Sequence, residues 1–353
     1  MTPSSLPPNS AASALQAAIT RLVGGGELDE PSVEAAMTEV VGGAAPPSEV
    51  AAFLLALRAK GESAAEIAGA VRALRAAMLR VEHPRPDLLV DTCGTGGGAV
   101  TTVNISTAAA FIAAGAGVTI AKHGNRSYSS RSGSADVLEA LGIALDIDAD
   151  HASRVLDAVG VVFLFAPMYH PAMRHVAPIR RELKVATLMN LVGPLANPAS
   201  AGRQVVGVGD PARGPAMAGA LARLGATHAL VVHADVGMDE FSPVGTTTIW
   251  EVQAGKVREW QFDPGRTALA THSLAGLEGG EPAENAAKML ALLESPASAA
   301  AALRSAVLLN AAAAIYVSEL VETMDDAIAA AVDALESGRA RVKLEALRRA
   351  SSA

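Results

Sequence analysis

The sequence predicts an α/β fold: a small N-terminal helical domain followed by a larger α/β domain with a mainly parallel central sheet. Three observations support this. Apolar residues recur at helical intervals from about residue 12 to residue 78. Two prolines between residues 83 and 86 form a natural linker. Beyond them strand-like and helix-like segments alternate, which is typical of a parallel sheet with helices on both faces.

Boundary residues divide the first part of the chain into helices. Pro31 begins one helix and Gly42 with Gly43 ends it, while Ser63 and Glu66 have the spacing of a capping box. We place the helical domain at residues 1–84, with residues 1–11 disordered, and the α/β domain at 85–353. The helical domain has the amphipathic pattern of a packing or dimerisation unit.

The α/β domain is predicted from short apolar runs between turn residues. We expect strands at 88–91, 118–121, 161–165, 204–208 and 229–233, helices at 105–116 and 135–141, and a hairpin formed by 247–252 and 256–262. From residue 285 to about 347 the pattern is mostly helical.

Composition excludes several classes of protein. The formal net charge of -8 argues against a general nucleic-acid binder, because affinity for a phosphate backbone comes mainly from Lys and Arg. We see no apolar run long enough for a membrane span and no signal-peptide pattern. One cysteine, Cys93, can form neither an internal disulfide nor a cysteine-based zinc site. We therefore expect a cytoplasmic protein.

A glycine-rich loop follows the first predicted strand of the α/β domain. Residues 91–98 read DTCGTGGG and lead to a helix that begins near Asn104, a good N-cap, with Ser106 and Thr107 in its first turn. Glycines let backbone N–H groups approach a ligand, and a helix N-terminus favours anions. The loop therefore predicts a phosphate or pyrophosphate site, although a plain strand-to-helix turn has a similar composition.

A basic loop follows the next predicted strand. Residues 122–130 read KHGNRSYSS, in which Lys122 and Arg126 supply positive charge and the serines supply hydrogen-bond donors. In an α/β sheet, ligands bind beyond the carboxyl ends of the strands, so the two loops can meet over one ligand. A ligand with phosphates at two ends and sugar hydroxyls between them fits this pair of loops, and a solvated polar loop is the alternative.

These motifs together resemble those of anthranilate phosphoribosyltransferases over roughly residues 15 to 335. The matching segments are GTGG at 94–97, NIST at 104–107, KHGNRS at 122–127, SGSAD at 132–136, HPAMRH at 170–175, PIRREL at 178–183, NLVGPL at 190–195 and GMDE at 237–240. GTGG alone is not specific, but the ordered set is.

The resemblance implies a homodimer of two-domain subunits with the nucleoside phosphorylase/phosphoribosyltransferase type of fold, the helical domain including a segment near 168–190. Such an enzyme transfers 5-phosphoribosyl from phosphoribosyl pyrophosphate (PRPP) to the amine of anthranilate, in tryptophan biosynthesis. It implies no membrane or nucleic-acid partner, and Mg²⁺, two ions per subunit, as cofactor.

The resemblance also implies roles for individual residues, with none assigned as a general acid or base. Arg180 would hold the anthranilate carboxylate, because a guanidinium fork binds a carboxylate at two points. Oxygen ligands suit Mg²⁺, and Gly237 predicts an irregular loop that lets neighbouring acids face one ion. The implied sets are, for PRPP, Gly94, Gly97, Gly98, Thr102, Asn104, Ile105, Ser106, Thr107, Lys122, His123, Gly124, Asn125, Arg126, Ser127, Tyr128, Ser129, Ser130 and Ser134; for anthranilate, Gly94, Asn125 and Arg180; and for metal, Ser106, Asp239 and Glu240.

Two positions depart from the family pattern. Gly98 stands where the family usually has Asp, and Ala186 stands where it usually has Arg. Two other functions stay open at this point. A pyrimidine-nucleoside phosphorylase shares the fold and a similar glycine loop, but Arg180 and the Asp239–Glu240 pair favour the transferase. A non-catalytic relative that binds nucleic acid is disfavoured by the net charge of -8.

Overall fold

The structure is a computed structural model that describes residues 13–127 and 131–353. The disorder expected for residues 1–11 therefore lies outside the described residues. Capping at Ser63 and Glu66 is confirmed, since the Ser63 hydroxyl accepts from Glu66 N and the Glu66 carboxylate accepts from Ser63 N. The first four helices are α1 (Ala14–Val23), α2 (Glu30–Gly42), α3 (Pro47–Lys60) and α4 (Ala64–Ala76).

The rest of the chain forms one sheet covered by helices. Its strands are β1 (Val90–Gly94), β2 (Ile120–Gly124), β3 (Val161–Phe165), β4 (Arg203–Gly207), β5 (His228–Ala234), β6 (Thr247–Gln253) and β7 (Lys256–Phe262). Its helices are α5 (Ile105–Gly115), α6 (Ser134–Ala140), α7 (Ala149–Val159), α8 (Ala166–Tyr169), α9 (Ala177–Leu183), α10 (Leu188–Leu195), α11 (Gly214–Arg223), α12 (Pro282–Glu294), α13 (Ala301–Val317), α14 (Met324–Glu336) and α15 (Arg339–Ser351).

The sheet has the strand order β3-β2-β1-β4-β5-β6-β7. The first five strands in this order are parallel, and β6 and β7 add an antiparallel hairpin. The mainly parallel sheet and the hairpin are thus confirmed. Two expected strands lie further along the chain than predicted: β1 starts at Val90 because Pro86–Leu88 form a 3-10 turn, and β2 starts at Ile120 after the turn at Gly117.

The strand order places a crevice beside β1. The chain runs outward from β1 through β2 to β3, then returns to form β4 on the other side of β1. Loops leaving the carboxyl ends of β1 and β4 therefore diverge, and such a switch point is where open α/β sheets bind ligands.

Alternate side chains of the central strands enter two separate cores. Val205 and Leu230 pack with α5 and α13 on one face. Val206 and Val231 face the opposite side, where α11 links them to the core of α1–α4. Because successive strand residues point to opposite faces, this alternation makes the helical domain continuous with one side of the sheet. α9 packs against α3, and α10 packs against α3 and α4.

Within residues 13–127 and 131–353, each helix is too short or too polar to cross a bilayer.

A buried carboxylate organises the end of the sheet remote from the crevice. Glu251 on β6 is 3% exposed, and its oxygens lie 2.9 Å from His228 Nε2, 3.0 Å from Tyr316 OH, 2.6 Å from Arg258 Nη2 and 2.8 Å from Trp260 Nε1. Burial by itself raises the pKa of Glu251, but the bonds from His228, Arg258 and Tyr316 outweigh it and lower the pKa to about 2.

We expect Glu251→Gln to destabilise the protein in a pH-dependent way. The folded pKa lies below the ordinary value of 4.5, so the ionised carboxylate stabilises the fold above that pH and the effect is lost as the pH falls toward 2. The contribution at neutral pH is on the order of 3 kcal/mol. The difference in melting temperature between the unmodified protein and the Glu251→Gln variant should become smaller as the pH is lowered from 7 to 3. A difference that stays constant over this range would contradict the assignment.

Candidate active site

A cavity of about 360 Å³ lies at the carboxyl ends of the strands, where the switch point predicts it. The glycine loop and the basic loop meet there. Of the residues implied for substrate or metal, those that line this cavity are Gly94, Asn104, Ser106, Thr107, Lys122, His123, Gly124, Asn125, Arg126, Ser127, Ser134, Arg180, Asp239 and Glu240.

The structure places the other implied residues differently. Gly97 lines a neighbouring cavity instead. Ile105 is fully buried in the core, so its side chain cannot face a ligand in this arrangement. Thr102 pairs with Glu278 in an isolated bridge, and Gly98 lies next to Asp239 but outside the lining of the cavity. Tyr128, Ser129 and Ser130 lie outside the described residues.

The start of α5 corrects one expectation. Asn104 occupies the N-cap position, but its side chain makes no capping bond. Its amide donates to Ser132 O at 3.2 Å, and its oxygen accepts from Asn285 at 3.0 Å. The Glu240 carboxylate takes the capping role, accepting from Ser106 N at 3.0 Å. A remote carboxylate is a stronger acceptor for a helix N-terminus than a neutral amide, and it attaches α5 to the acidic loop.

Lys122 is a basic residue in the lining of the cavity. It is 4% exposed, and its Nζ donates to Thr92 O and to Ser106 Oγ, the latter at 3.2 Å. Burial lowers the pKa of Lys122, and the nearby Asp91 carboxylate opposes the shift. An ammonium group with few water contacts interacts strongly with an anionic ligand.

His123, the next residue, is neutral and packs against a second histidine. Burial, with His170 and Lys122 nearby, lowers its pKa well below the usual value. Its ring centroid lies 5.1 Å from that of His170, whose pKa burial lowers to about 4. His170 therefore serves as a packing partner of His123, and of these two neutral imidazoles it is His123 that lines the cavity.

Asp239 and Glu240 also line the cavity, from an irregular bend after β5. Burial raises the pKa of Asp239, and burial together with the Asp239 charge raises that of Glu240 well above its usual value. Gly207 is required beneath them, because a Cβ there would collide with the backbone oxygen of Asp239. Two crowded carboxylates with raised pKa values favour a bound cation.

The oxygen donors here fit a hard divalent cation. Ser106 Oγ, Asp239 and Glu240 line one cavity, and Mg²⁺ prefers such oxygen ligands with others left to water or phosphate. Within the described part of the chain, no group of three or more His, Cys, Asp or Glu side chains is close enough to form a complete protein site. These residues therefore fit a metal ion whose remaining ligands come from a bound phosphate group and from water.

Arg126 is held by acidic neighbours. Its Nη1 contacts Asp136 at 2.9 Å and Glu139 at 2.8 Å, and the guanidinium lies over the Phe165 ring, 5.6 Å from the centroid. The paired carboxylates raise its pKa, so it stays charged. Much of that charge is therefore balanced by Asp136 and Glu139 in this arrangement.

A second cavity of about 590 Å³ adjoins the first, between the helical domain and the glycine loop. Arg180 lines both cavities, so it stands at their junction. The outer cavity has further positive side chains in Arg58, Arg181, Lys184 and Arg213. In a chain with a net charge of -8, this concentration marks an entrance for an anion.

Comparison with known proteins agrees with this geometry. The glycosyl transferase family α/β domain matches residues 86–341, and the helical bundle domain of the same family matches residues 16–78. Anthranilate phosphoribosyltransferase from Symbiobacterium thermophilum is 46% identical over 334 residues, covering 95% of this chain and 97% of the relative. The enzyme of that name from Roseiflexus castenholzii is 47% identical over 335 residues, covering 95% and 97%.

The chain belongs to the anthranilate phosphoribosyltransferase family. Among solved structures, the family member from Thermus thermophilus superposes with a TM-score of 0.89 at 40% identity, covering 97% of this chain and 100% of that one. The Saccharomyces cerevisiae enzyme in complex with PRPP and Mg gives 0.86 at 26% identity, covering 97% and 99%. The sequence-based resemblance to anthranilate phosphoribosyltransferases is confirmed.

The sequence analysis did not assign a role to several residues that support or line this anthranilate phosphoribosyltransferase site. Asp91 is fully buried and accepts from His123 N at 3.0 Å and from Asn197 Nδ2 at 2.8 Å. Pro194 lines the cavity. Asp91 lies on β1, and Asn197 begins the Asn-Pro turn after α10. An acidic residue within a buried strand is unusual, and this was the sequence signal that could have identified Asp91.

Proposed function

We propose that this chain transfers the 5-phosphoribosyl group of PRPP to the amine of anthranilate, giving N-(5-phosphoribosyl)anthranilate and pyrophosphate, as a step of tryptophan biosynthesis. One observation supports this above the others. A helix N-terminus, a buried ammonium, a pair of acids and Arg180 all face one cavity of about 360 Å³. Phosphate, metal and carboxylate chemistry therefore meet over one ligand site.

PRPP is assigned to the side of the cavity formed by the glycine loop and α5. Backbone N–H groups there favour anions, Lys122 supplies a buried positive charge, and Ser106 and Thr107 supply hydroxyls. The full proposed set is the one that the family resemblance implies, with Ile105 contributing through its backbone only: Gly94, Gly97, Gly98, Thr102, 104–107, 122–130 and Ser134.

Anthranilate is assigned to the side bordered by Gly94, Asn125 and Arg180. Arg180 stands where the two cavities join, so an acceptor entering through the cationic outer cavity reaches its guanidinium before the ribose. The planar fork matches a carboxylate, and the neutral His123 offers a flat surface for the aromatic ring.

Ser106, Asp239 and Glu240 are the proposed metal residues, holding Mg²⁺, with two ions per subunit. When bound, Mg²⁺ supplies positive charge beside the departing pyrophosphate. The chain's own groups share that work: backbone N–H groups at the start of α5 and the Lys122 ammonium face the same leaving charge.

The bond change itself needs little acid or base from the protein. The C1–O bond to pyrophosphate breaks as positive charge develops on the ribose, and the anthranilate nitrogen then forms the C1–N bond and releases its proton. An aromatic amine is already unprotonated at neutral pH, so no general base is assigned. The residues of the cavity act by fixing the two substrates in line and by limiting water.

We also propose a homodimer formed through the helical domain, residues 1–84 joined by the segment near 168–190, and a cytoplasmic location. Support for the dimer comes from exposed apolar side chains on this domain: Val23 is 77% exposed, Leu55 41% and Leu79 52%. The single cysteine, Cys93, is consistent with a reducing compartment.

We expect anthranilate to be consumed only when PRPP and Mg²⁺ are both present. The measurement is loss of anthranilate fluorescence with each component omitted in turn, followed by addition of EDTA. The reaction requires the phosphate, metal and carboxylate groups together, so each omission should abolish turnover. Phosphorolysis of thymidine without reaction of anthranilate would support the pyrimidine-nucleoside phosphorylase instead, and a mobility shift of DNA at physiological salt would support the nucleic-acid-binding alternative.

We expect Arg180→Ala to raise the KM for anthranilate far more than the KM for PRPP. Loss of a charge-assisted pair costs roughly 1.5–3 kcal/mol, which corresponds to about a tenfold or larger change. Arg181→Ala is the matched control, because Arg181 lines the outer cavity only. Steady-state kinetics with each substrate varied would measure both constants. Equal effects on the two substrates would show that Arg180 does not anchor the carboxylate.

We expect Gly98→Asp to tighten PRPP binding when magnesium is limiting. A Cβ at position 98 would lie 3.0 Å from Asp239 Oδ1 and 3.1 Å from Gly237 O, so the new carboxylate would stand beside the proposed metal residues. It adds a ligand for the hydrated ion but repels pyrophosphate without one. The PRPP KM across a magnesium titration measures the effect.

Gly98→Asn is the control for this change, because it adds nearly the same volume without charge. The expectation is contradicted if the PRPP KM depends on magnesium concentration in the same way for Gly98→Asp and for the unmodified enzyme. It is also contradicted if the Gly98→Asp and Gly98→Asn variants show the same dependence.

A further inference from the structure

A partly buried arginine of the helical domain binds the end of a helix that lines the substrate cavity. Arg75 lies on α4, and its Nε and Nη2 donate to the backbone oxygen of Leu195 at 3.0 and 2.7 Å. Leu195 is the last residue of α10, the helix whose Asn190, Gly193 and Pro194 line the cavity. Arg75 itself does not line it, so any effect on the substrates passes through α10.

The end of α10 has carbonyl groups that need donors. A helix leaves its last carbonyls without partners inside the helix and carries partial negative charge at that end. The structure satisfies two of them from outside. Pro194 O accepts from Gln204 Nε2 at 3.0 Å and from Cys93 Sγ at 3.5 Å, while Arg75 takes Leu195 O. Pro194 is thus held from the sheet, and Leu195, the next residue, is held from the helical domain.

Arg75 has no competing acidic partner: in the described parts of the chain, no carboxylate oxygen lies within 4.0 Å of its guanidinium. Burial, with Arg72 and Arg80 nearby, lowers its pKa to about 10, so it stays charged at neutral pH. A partly buried cation without an ion pair loses part of its hydration, and the negative end of α10 offsets this loss.

We propose that Arg75 is a positioning residue for the acceptor, setting the wall at Gly193 and Pro194 from the helical domain. This inference rests on the proposed function, because it assumes that anthranilate lies between that wall and Arg180. It assigns to the helical domain an indirect part in acceptor binding, exerted through α10. PRPP, held by α5 and the basic loop, should be almost independent of Arg75.

Arg72 provides a matched control on the same helix. It also crosses to the α/β domain, donating to Arg223 O at the end of α11 at 3.1 Å, and it pairs with Glu30. Among the described residues, α11 contributes nothing to the lining of either cavity. Both arginine variants should therefore weaken the contact between the domains. Only the Arg75 variant should also displace the cavity wall at Gly193 and Pro194.

The experiment compares Arg75→Gln, Arg75→Lys and Arg72→Gln in full-length enzyme. The readouts are KM for each substrate, kcat, melting temperature, and the PRPP dissociation constant from calorimetry with Mg²⁺. We expect Arg75→Gln to raise the anthranilate KM roughly tenfold, with the PRPP constants changed by about twofold or less. Arg75→Lys, which keeps the charge, should recover part of the loss. Arg72→Gln should lower the melting temperature and leave the anthranilate KM unchanged.

Two results would overturn the proposal: an unchanged anthranilate KM in Arg75→Gln, or equal increases for Arg75→Gln and Arg72→Gln. If Arg75→Gln does not fold, Arg75→Lys against Arg72→Lys makes the same comparison. The unmodified enzyme separates this inference from the proposed function. If the unmodified enzyme does not turn over anthranilate, the proposed function is wrong. If it does, but Arg75→Gln leaves the anthranilate KM unchanged, only the role of Arg75 is wrong.

Discussion

The buried carboxylate of Asp91 ties together the segments that form the active site. One oxygen accepts from the backbone of His123 and the other from Asn197, which also donates to Ala121 O at 2.7 Å. Burial raises the pKa of Asp91 to about 6, and the Lys122 ammonium opposes the shift. The carboxylate lies on β1, its partners on β2 and after α10, so one group fixes the basic loop relative to the glycine loop and the acceptor wall.

Similar pairings of buried or partly buried polar groups recur in and near the cavity. Glu240 caps α5, Lys122 bonds to Ser106 on that helix, and Arg75 takes the last carbonyl of α10. Each bond joins a helix end to a charged group from a different part of the chain. Because an unpaired buried charge costs several kcal/mol, these pairings restrict the segments to one relative arrangement. The substrates therefore meet a site that is largely formed before they bind.

Much of this could be predicted from the chain. The capping box at Ser63 and Glu66, the strand at 161–165 and the hairpin after residue 247 depend on local pattern, and the structure has them at or near the expected residues. The convergence of the two substrate loops followed from their places after successive strands. The predicted starts of β1 and β2 lie two residues too early in the chain. Apolar residues just before these strands, such as Leu88 and Val118, have the pattern of strand residues when the sequence is considered alone.

The chain's local patterns were enough to establish the class of fold, the family and the residue types that meet phosphate, metal and carboxylate, because glycine loops, caps and charged motifs act through neighbouring residues. The choice of partner for each buried group emerged only from the folded arrangement. Glu240 caps α5 in place of Asn104, Arg126 is engaged by Asp136 and Glu139, and Arg75 reaches α10. The Glu240 and Arg75 pairs join residues far apart in the chain, and the choice of partner depends on distances and burial that arise only when the sheet and helices pack.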